Sequence, residues 1–137
     1  MRTSGTKTAA VTALQGITPD APADVTFRYV DFAGRQAGAV TERTFMLELG
    51  AIPRHAGFMS TDAWLANWDL TVFYAPAEGV EDRIGDDFDR ISQTLHQLHS
   101  QDTEIYMVDV VPGVVQRIEG GLAAVASLDI TYRRTGV

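Results

Sequence analysis

The feature that most constrains this 137-residue chain is a helical stripe in its second half. Apolar side chains recur at alternating steps of four and three residues, at Val80, Ile84, Phe88, Ile91, Leu95 and Leu98. This spacing predicts an amphipathic α-helix that ends near His99. Gly85 is a poor helix former, so the regular helix is expected to begin as late as Asp86. A helix with one apolar face needs a second layer of structure to cover that face.

A sheet is predicted to supply the second layer, because segments of alternating apolar and polar side chains are typical of half-buried strands. Such segments run over Val25–Val30, Thr41–Leu49, Ala63–Tyr74, Glu104–Val111 with a continuation over Val114–Ile118, and Ala124–Tyr132. The first two are predicted to pair as a hairpin across the Gly-rich stretch between them. The helix is expected to cover the sheet face that carries Trp68, Leu70, Val72, Leu128 and Ile130.

Short-range signals complete the predicted fold. A short N-terminal helix is predicted over Thr6–Gln15, and turns are predicted at Pro112-Gly113 and over Glu119–Gly121. The predicted fold class is α+β: an antiparallel or mixed sheet of about five strands with one long helix packed on one face and a short N-terminal helix. The length of the chain predicts a single domain over residues 1–137.

The acidic balance of the chain limits its partners. Eighteen acidic against eleven basic residues give a formal net charge of −7. This charge argues against sequence-independent binding to nucleic acid phosphates or anionic lipids. The absence of cysteine excludes disulfides and thiolate metal sites. No apolar run reaches the roughly 20 residues of a membrane span, and the N-terminus lacks the apolar stretch of a signal peptide. A cytosol-like compartment is therefore expected.

No residue is predicted to hold a metal or a cofactor. His96 and His99 lie three residues apart on the predicted helix and, with His55 or Asp102, resemble part of a metal site. A solvated pair near the helix C-terminus, where protonated imidazole is stabilised by the helix dipole, is the favoured interpretation.

No residue is predicted to be catalytic either. Asp86, Asp87 and Asp89 are interpreted as a solvated face in the first turns of the helix, where the dipole favours carboxylates. No nucleophile motif, phosphate-binding glycine loop or dinucleotide fingerprint occurs in the sequence. Trp64 and Trp68 are interpreted as core or interface anchors, since the acidic charge disfavours a base-stacking platform.

Two segments are instead predicted to contact partners. The stretch Gly50–Asp62 is long for a plain connection between strands, and long loops are often functional. Its Phe58 and Met59 either contact a partner or fold back on the core. A short basic tail follows Tyr132. The predicted partner or oligomer interface comprises Arg54, Phe58, Met59, Arg133 and Arg134.

Three stretches of the sequence resemble the tail terminator proteins of long-tailed, lambda-like phages. They are Trp68–Tyr74 (Trp-Asp-Leu-Thr-Val-Phe-Tyr), the helix over Asp86–His99, and Ser127–Arg134. The resemblance implies a homo-oligomeric ring, typically a hexamer, that caps the tail tube, stops its polymerisation and joins it to the head-side connector. DNA passes through the lumen of such a ring, and no cofactor or reaction is involved. The implied location is the virion tail or neck, and the host cytoplasm during assembly.

Other functions remain open at this point. The same general fold suits a head–tail connector or a tail tube subunit. A small enzyme or ligand-binding domain, with its pocket between helix and sheet, is a further alternative. So is an interaction domain of a bacterial regulator.

Overall fold

The computed structural model describes residues 1–18, 25–31, 42–57 and 62–135. In chain order the elements are α1 (Thr3–Gln15), β1 (Arg28–Tyr29), β2 (Thr44–His55), β3 (Ala63–Tyr74), α2 (Val80–His96), α3 (Leu98–Gln101), β4 (Ile105–Ile118) and β5 (Gly121–Arg133). The five strands form one sheet in the order β1-β2-β3-β5-β4. The predicted α+β class is confirmed: the sheet is mixed, and the long helix α2 packs on it.

The core lies between the helices and one face of the sheet, as the stripe predicts. Trp68, Leu70, Val72, Leu128 and Ile130 belong to one buried cluster with Ile84, Ile91 and Leu95 of α2. Helix α1 adds Ala10 and Leu14 to the same cluster. Phe88 is only half-buried at its margin. The helical and strand periodicities therefore identify the two layers correctly.

The predicted hairpin between the first two strands is wrong. β1 pairs with β2 in parallel, with Arg28 opposite Thr44 and Tyr29 opposite Phe45. Alternation of side chains reports that a segment is a strand but not its direction. A hairpin joins antiparallel strands, whereas parallel neighbours need a connection that returns the chain to the same end of the sheet.

The predicted loop over Gly50–Asp62 is also partly wrong, because β2 continues to His55. It stays paired with β3 through two register shifts, between Leu49 and Ala51 and between Ala51 and Arg54. A β-bulge keeps a strand paired while breaking its alternation. The loss of alternation after Leu49 thus marks an irregular strand and not its end.

Pro112-Gly113 is a bulge inside β4 and not the predicted turn. The register with β5 shifts between Pro112 and Val115. β4 is an edge strand, where proline is tolerated because its missing N–H need not join a ladder. A Cβ on Gly113 would approach the Val125 carbonyl oxygen to 2.5 Å, so glycine is needed here. The predicted turn over Glu119–Gly121 is confirmed as the hairpin that joins β4 and β5.

Helix α2 begins earlier than predicted. Its first residue is Val80, directly after Gly79 in the left-handed region at φ 74°, and Gly85 lies inside the helix. The single-glycine penalty of about 1 kcal/mol is small beside the burial of the flanking stripe. The helix ends at His96, so His99 lies in the separate short helix α3.

Candidate interaction surfaces

One end of the sheet gathers the predicted basic residues. Arg54 near the end of β2 is opposite Leu65 of β3. Arg133 at the end of β5 is opposite Ala63 at the start of β3. The Arg134 backbone N–H donates to the Asp62 carbonyl oxygen at 2.7 Å. The three predicted arginines therefore lie at the same end of the fold, whereas the predicted Phe58 and Met59 lie outside the described residues.

A cleft of about 530 Å³ opens at this end, beside the start of α1. We call it the arginine cleft; it is lined by Arg2, Thr3, Ser4, Ile52, Pro53, Trp64, Tyr132 and Arg134. The Arg134 guanidinium carbon lies 3.8 Å from the centroid of the Trp64 ring. Ile52 is 88% exposed. Sequence reasoning identified Arg134 but missed Arg2 and Ile52, because the docking of α1 against β3 and β5 brings them together.

Two edges of the sheet lie open within the described part of the chain. β4 forms one edge along its whole length, and β2 forms the other beyond Phe45, where its register with the short β1 ends. Both edges carry exposed apolar side chains: Val111, Val114 and Val115 on β4, and Leu49 and Ile52 on β2. Unpaired strand edges with apolar side chains are templates for pairing with another chain.

The sheet face opposite the helices carries a row of carboxylates. Glu48 is opposite Asp69, and Asp109 is opposite Asp129, in adjacent strands. Like charges that face each other across strands are destabilising. The Asn67 side-chain amide offsets part of this cost, because it donates to Asp129 Oδ1 at 2.7 Å. This face is therefore a poor surface for phosphate groups.

A buried polar network joins α2 to the ends of β2 and β3. The Asp87 carboxylate, 2% exposed, accepts hydrogen bonds from Arg43 Nε at 2.9 Å and Arg43 Nη2 at 2.8 Å. It also accepts the Tyr74 hydroxyl at 2.8 Å. Arg43 reaches this position with a left-handed backbone, at φ 57°. The interpretation of Asp87 as a solvated residue is wrong, whereas Asp86 and Asp89 are exposed as predicted.

A second ion pair lies next to this network. Arg83 of α2 pairs with Glu42, whose other carboxylate oxygen accepts the Ala75 backbone N–H at 2.8 Å. The two pairs together attach α2 to Glu42 and Arg43, just before β2, and the Tyr74 hydroxyl attaches it to the end of β3. The charged groups of the two pairs lie against one another and against the backbone, and this arrangement fixes the packing of α2.

The Tyr74 hydroxyl makes the network sensitive to alkaline pH. Burial, and next the negative charge of Asp87, raise the pKa of Tyr74 well above its ordinary value of 10.0. Its contribution to stability is fully present below pH ~10 and is lost as the pH rises through the folded-state pKa. We expect Tyr74→Phe to lower the free energy of unfolding by about 1–2 kcal/mol at neutral pH. Urea unfolding at several pH values should show a shallower loss above pH ~10 in the variant.

A matched control is Tyr106→Phe. The Tyr106 hydroxyl is half-buried, and its contact within the described residues is a long one, 3.4 Å to Asp62 Oδ1. This variant should keep the free energy of unfolding of the parent protein at neutral pH. Equal behaviour of the two variants would show that the Tyr74 hydroxyl has no special role.

The histidines do not assemble into a metal site within the described residues. His96 and His99 are exposed, and the His99 Nδ1 lies 2.8 Å from the His96 carbonyl oxygen. His55 lies on β2 with its ring against Trp64. Across residues 1–18, 25–31, 42–57 and 62–135, no three His, Asp or Glu side chains are grouped so as to hold a metal ion.

Comparison with known proteins adds no family. No protein-family model matches the sequence, and no curated protein is significantly similar to it. Among the helices in the described part of the chain, none is both long and apolar enough to cross a membrane.

Proposed function

We propose that this chain is a structural protein of a long-tailed phage virion, a tail terminator. It forms a homo-oligomeric ring, taken to be a hexamer, that caps the tail tube, ends its polymerisation and joins it to the head-side connector. Its partners are other copies of itself, the tail tube protein and the connector proteins. The observation that carries the proposal is the pair of open apolar edges on one sheet.

The two edges are suited to each other in direction. β2, β3, β5 and β4 are successive antiparallel neighbours, so β4 runs opposite to β2. β4 of one copy can lie beside the part of β2 beyond Phe45 in the next copy. The new pair of strands is then antiparallel. Such pairing satisfies the backbone hydrogen-bonding groups of both edges. It also covers Val114 and Val115 on β4 of one copy and Leu49 on β2 of the next copy.

Pairing of two different edges also accounts for a ring. A contact between unlike surfaces of identical subunits is heterologous, and it produces a closed ring when the rotation between neighbours closes. If the rotation does not close, the same contact produces an open filament. The sequence resemblance to tail terminators favours the closed form.

Electron microscopy of the purified protein, alone and mixed with tail tubes, tests the proposal directly. Rings of fixed order, seen singly or at one end of a tube, are the expected result. Long stacks of rings would instead indicate a tail tube subunit. A protein that stays monomeric at all concentrations, including with tubes present, would contradict the ring.

An edge variant tests the role of β4. We expect Val114→Lys to abolish ring formation, because a lysine on an edge strand opposes pairing with another strand. Val114 is 57% exposed, so the monomer should keep its melting temperature. Val25→Lys is the matched control, since Val25 is similarly exposed but lies on neither open edge. Mass photometry measures the oligomer, and persistence of rings in Val114→Lys would exclude β4 from the contact.

A further inference from the structure

We infer that the arginine cleft docks a protein segment that combines carboxylate and apolar side chains. The inference rests on the proposed function, because it names the chemistry by which the ring would recognise a neighbouring tail or connector protein. Three observations support it: the charge of the cleft, the state of Arg134 and the exposure of Ile52.

The charge of the cleft is opposite to that of the whole chain. The protein has a net charge of −7, yet the described residues that line the cleft include two arginines and no acidic residue. The nearby Asp62 carboxylate lies 3.7 Å from Arg133, which does not line the cleft. At ~0.1 M salt the Debye length is about 10 Å, so distant carboxylates are largely screened and the Arg134 guanidinium is the local charge on which the inference depends.

The Arg134 guanidinium is preorganised to bind a carboxylate. Its guanidinium is stacked on the Trp64 ring, and stacking uses the flat face of the group while its N–H donors lie in the plane. Among the described residues, no ion pair occupies the Arg134 side chain. A guanidinium held by an aromatic ring loses little further freedom when a carboxylate binds it in the bidentate manner.

The apolar part of the cleft favours a partner that carries apolar side chains as well as carboxylates. Ile52 is almost fully exposed, and Trp64 is half-buried beside it. Burial of an exposed isoleucine against a partner is favourable by the hydrophobic effect. Edge pairing would use the backbone of β2, whereas the cleft uses side chains on the helix-covered side. The two contacts are therefore compatible.

A protein segment fits this surface better than a nucleic acid strand. A strand carries a charge at every nucleotide, and the chain that it would have to cover is acidic as a whole, with a net charge of −7. A polypeptide can place its carboxylates only beside the arginines. The two arginines of the cleft are also few for phosphate binding, which gains affinity from many such contacts.

Fluorescence anisotropy with labelled probes tests the inference at ~0.1 M salt. The probes are a short peptide of alternating Glu and Leu, the same peptide with Gln in place of Glu, and an oligothymidylate of similar length. We expect the Glu–Leu peptide to bind in preference to the other two. Arg134→Gln should weaken that binding about tenfold. Arg28→Gln, which removes an exposed arginine outside the cleft, should leave it unchanged.

Each other outcome overturns the inference. Equal binding of the Glu and Gln peptides would show that the arginines are not used, and tighter binding of the oligothymidylate would indicate a nucleic acid site. Equal loss in both variants would show non-specific attraction. Electron microscopy of the parent protein, together with its peptide binding, separates the two proposals. Rings without peptide binding by the parent protein would refute the cleft alone, and peptide binding without rings would refute the ring alone.

Discussion

Asp87→Ala is expected to lower the free energy of unfolding by about 3–5 kcal/mol, the usual cost of breaking a buried ion pair by removing one partner. The carboxylate is the bidentate acceptor for Arg43 and also accepts the Tyr74 hydroxyl. Its removal leaves the charge of a buried guanidinium without this partner, and the desolvation of that charge is no longer compensated. Urea denaturation measures the loss.

The neighbouring residue provides the matched control. Asp86 is on the same helix but exposed, so Asp86→Ala should change the free energy of unfolding by no more than about 0.5 kcal/mol. Replacement of all three polar partners, in Asp87→Leu with Arg43→Met and Tyr74→Phe, should recover much of the loss, because an apolar cluster leaves no buried charge or hydroxyl without a partner. Equal stability of Asp86→Ala and Asp87→Ala would refute the network as a stabilising element.

The burial of Asp87 could be inferred from its position in the helical stripe, whereas its partner could not be inferred from the sequence. Asp87 lies three residues after Ile84 and four before Ile91, which is the spacing of the apolar stripe itself. A carboxylate at a stripe position is a signal of a buried partner, but the apolar Phe88 next to it fits the same stripe and masks that signal. The partner Arg43 is not predictable, because it lies far away in the chain and depends on an unusual positive φ.

The layers of the fold were predictable because side-chain period reports directly on secondary structure. The direction of β1 and the bulges in β2 and β4 were not predictable, since local composition is similar in either case. Pro112-Gly113 is as typical of a turn as of a bulge in an edge strand. Only the continued pairing of Val115 with Ala124 distinguishes them.

The candidate surfaces were likewise only partly predictable from the sequence. Arg54, Arg133 and Arg134 were identified by residue type, and the sheet register brings them to one end. The cleft around Arg134 also needs Arg2 and Ile52, which no local pattern associates with it. A cleft formed by a helix start, a strand edge and a C-terminal tail is a product of tertiary packing.

Trp68→Ala is expected to lower the free energy of unfolding by about 3–5 kcal/mol, the range for truncation of a large core aromatic. Trp68 is 7% exposed in the centre of β3. Its indole N–H donates to Thr6 Oγ1 at 2.9 Å, so the residue also attaches α1 to the sheet. We therefore expect two effects, a loss of global stability and a faster amide exchange in α1.

Phe88→Ala and Trp68→Phe separate these two effects. Phe88 is half-buried at the margin of the core, so its truncation should cost clearly less than that of Trp68 and should leave exchange in α1 relative to the rest of the chain unchanged. Trp68→Phe keeps most of the apolar contact but removes the N–H donor to Thr6. Hydrogen exchange in α1 should rise in this variant even where urea unfolding shows a loss of only about 1–2 kcal/mol. If α1 stays as protected as before, its attachment depends on the apolar contacts of Ala10 and Leu14 and not on the indole bond.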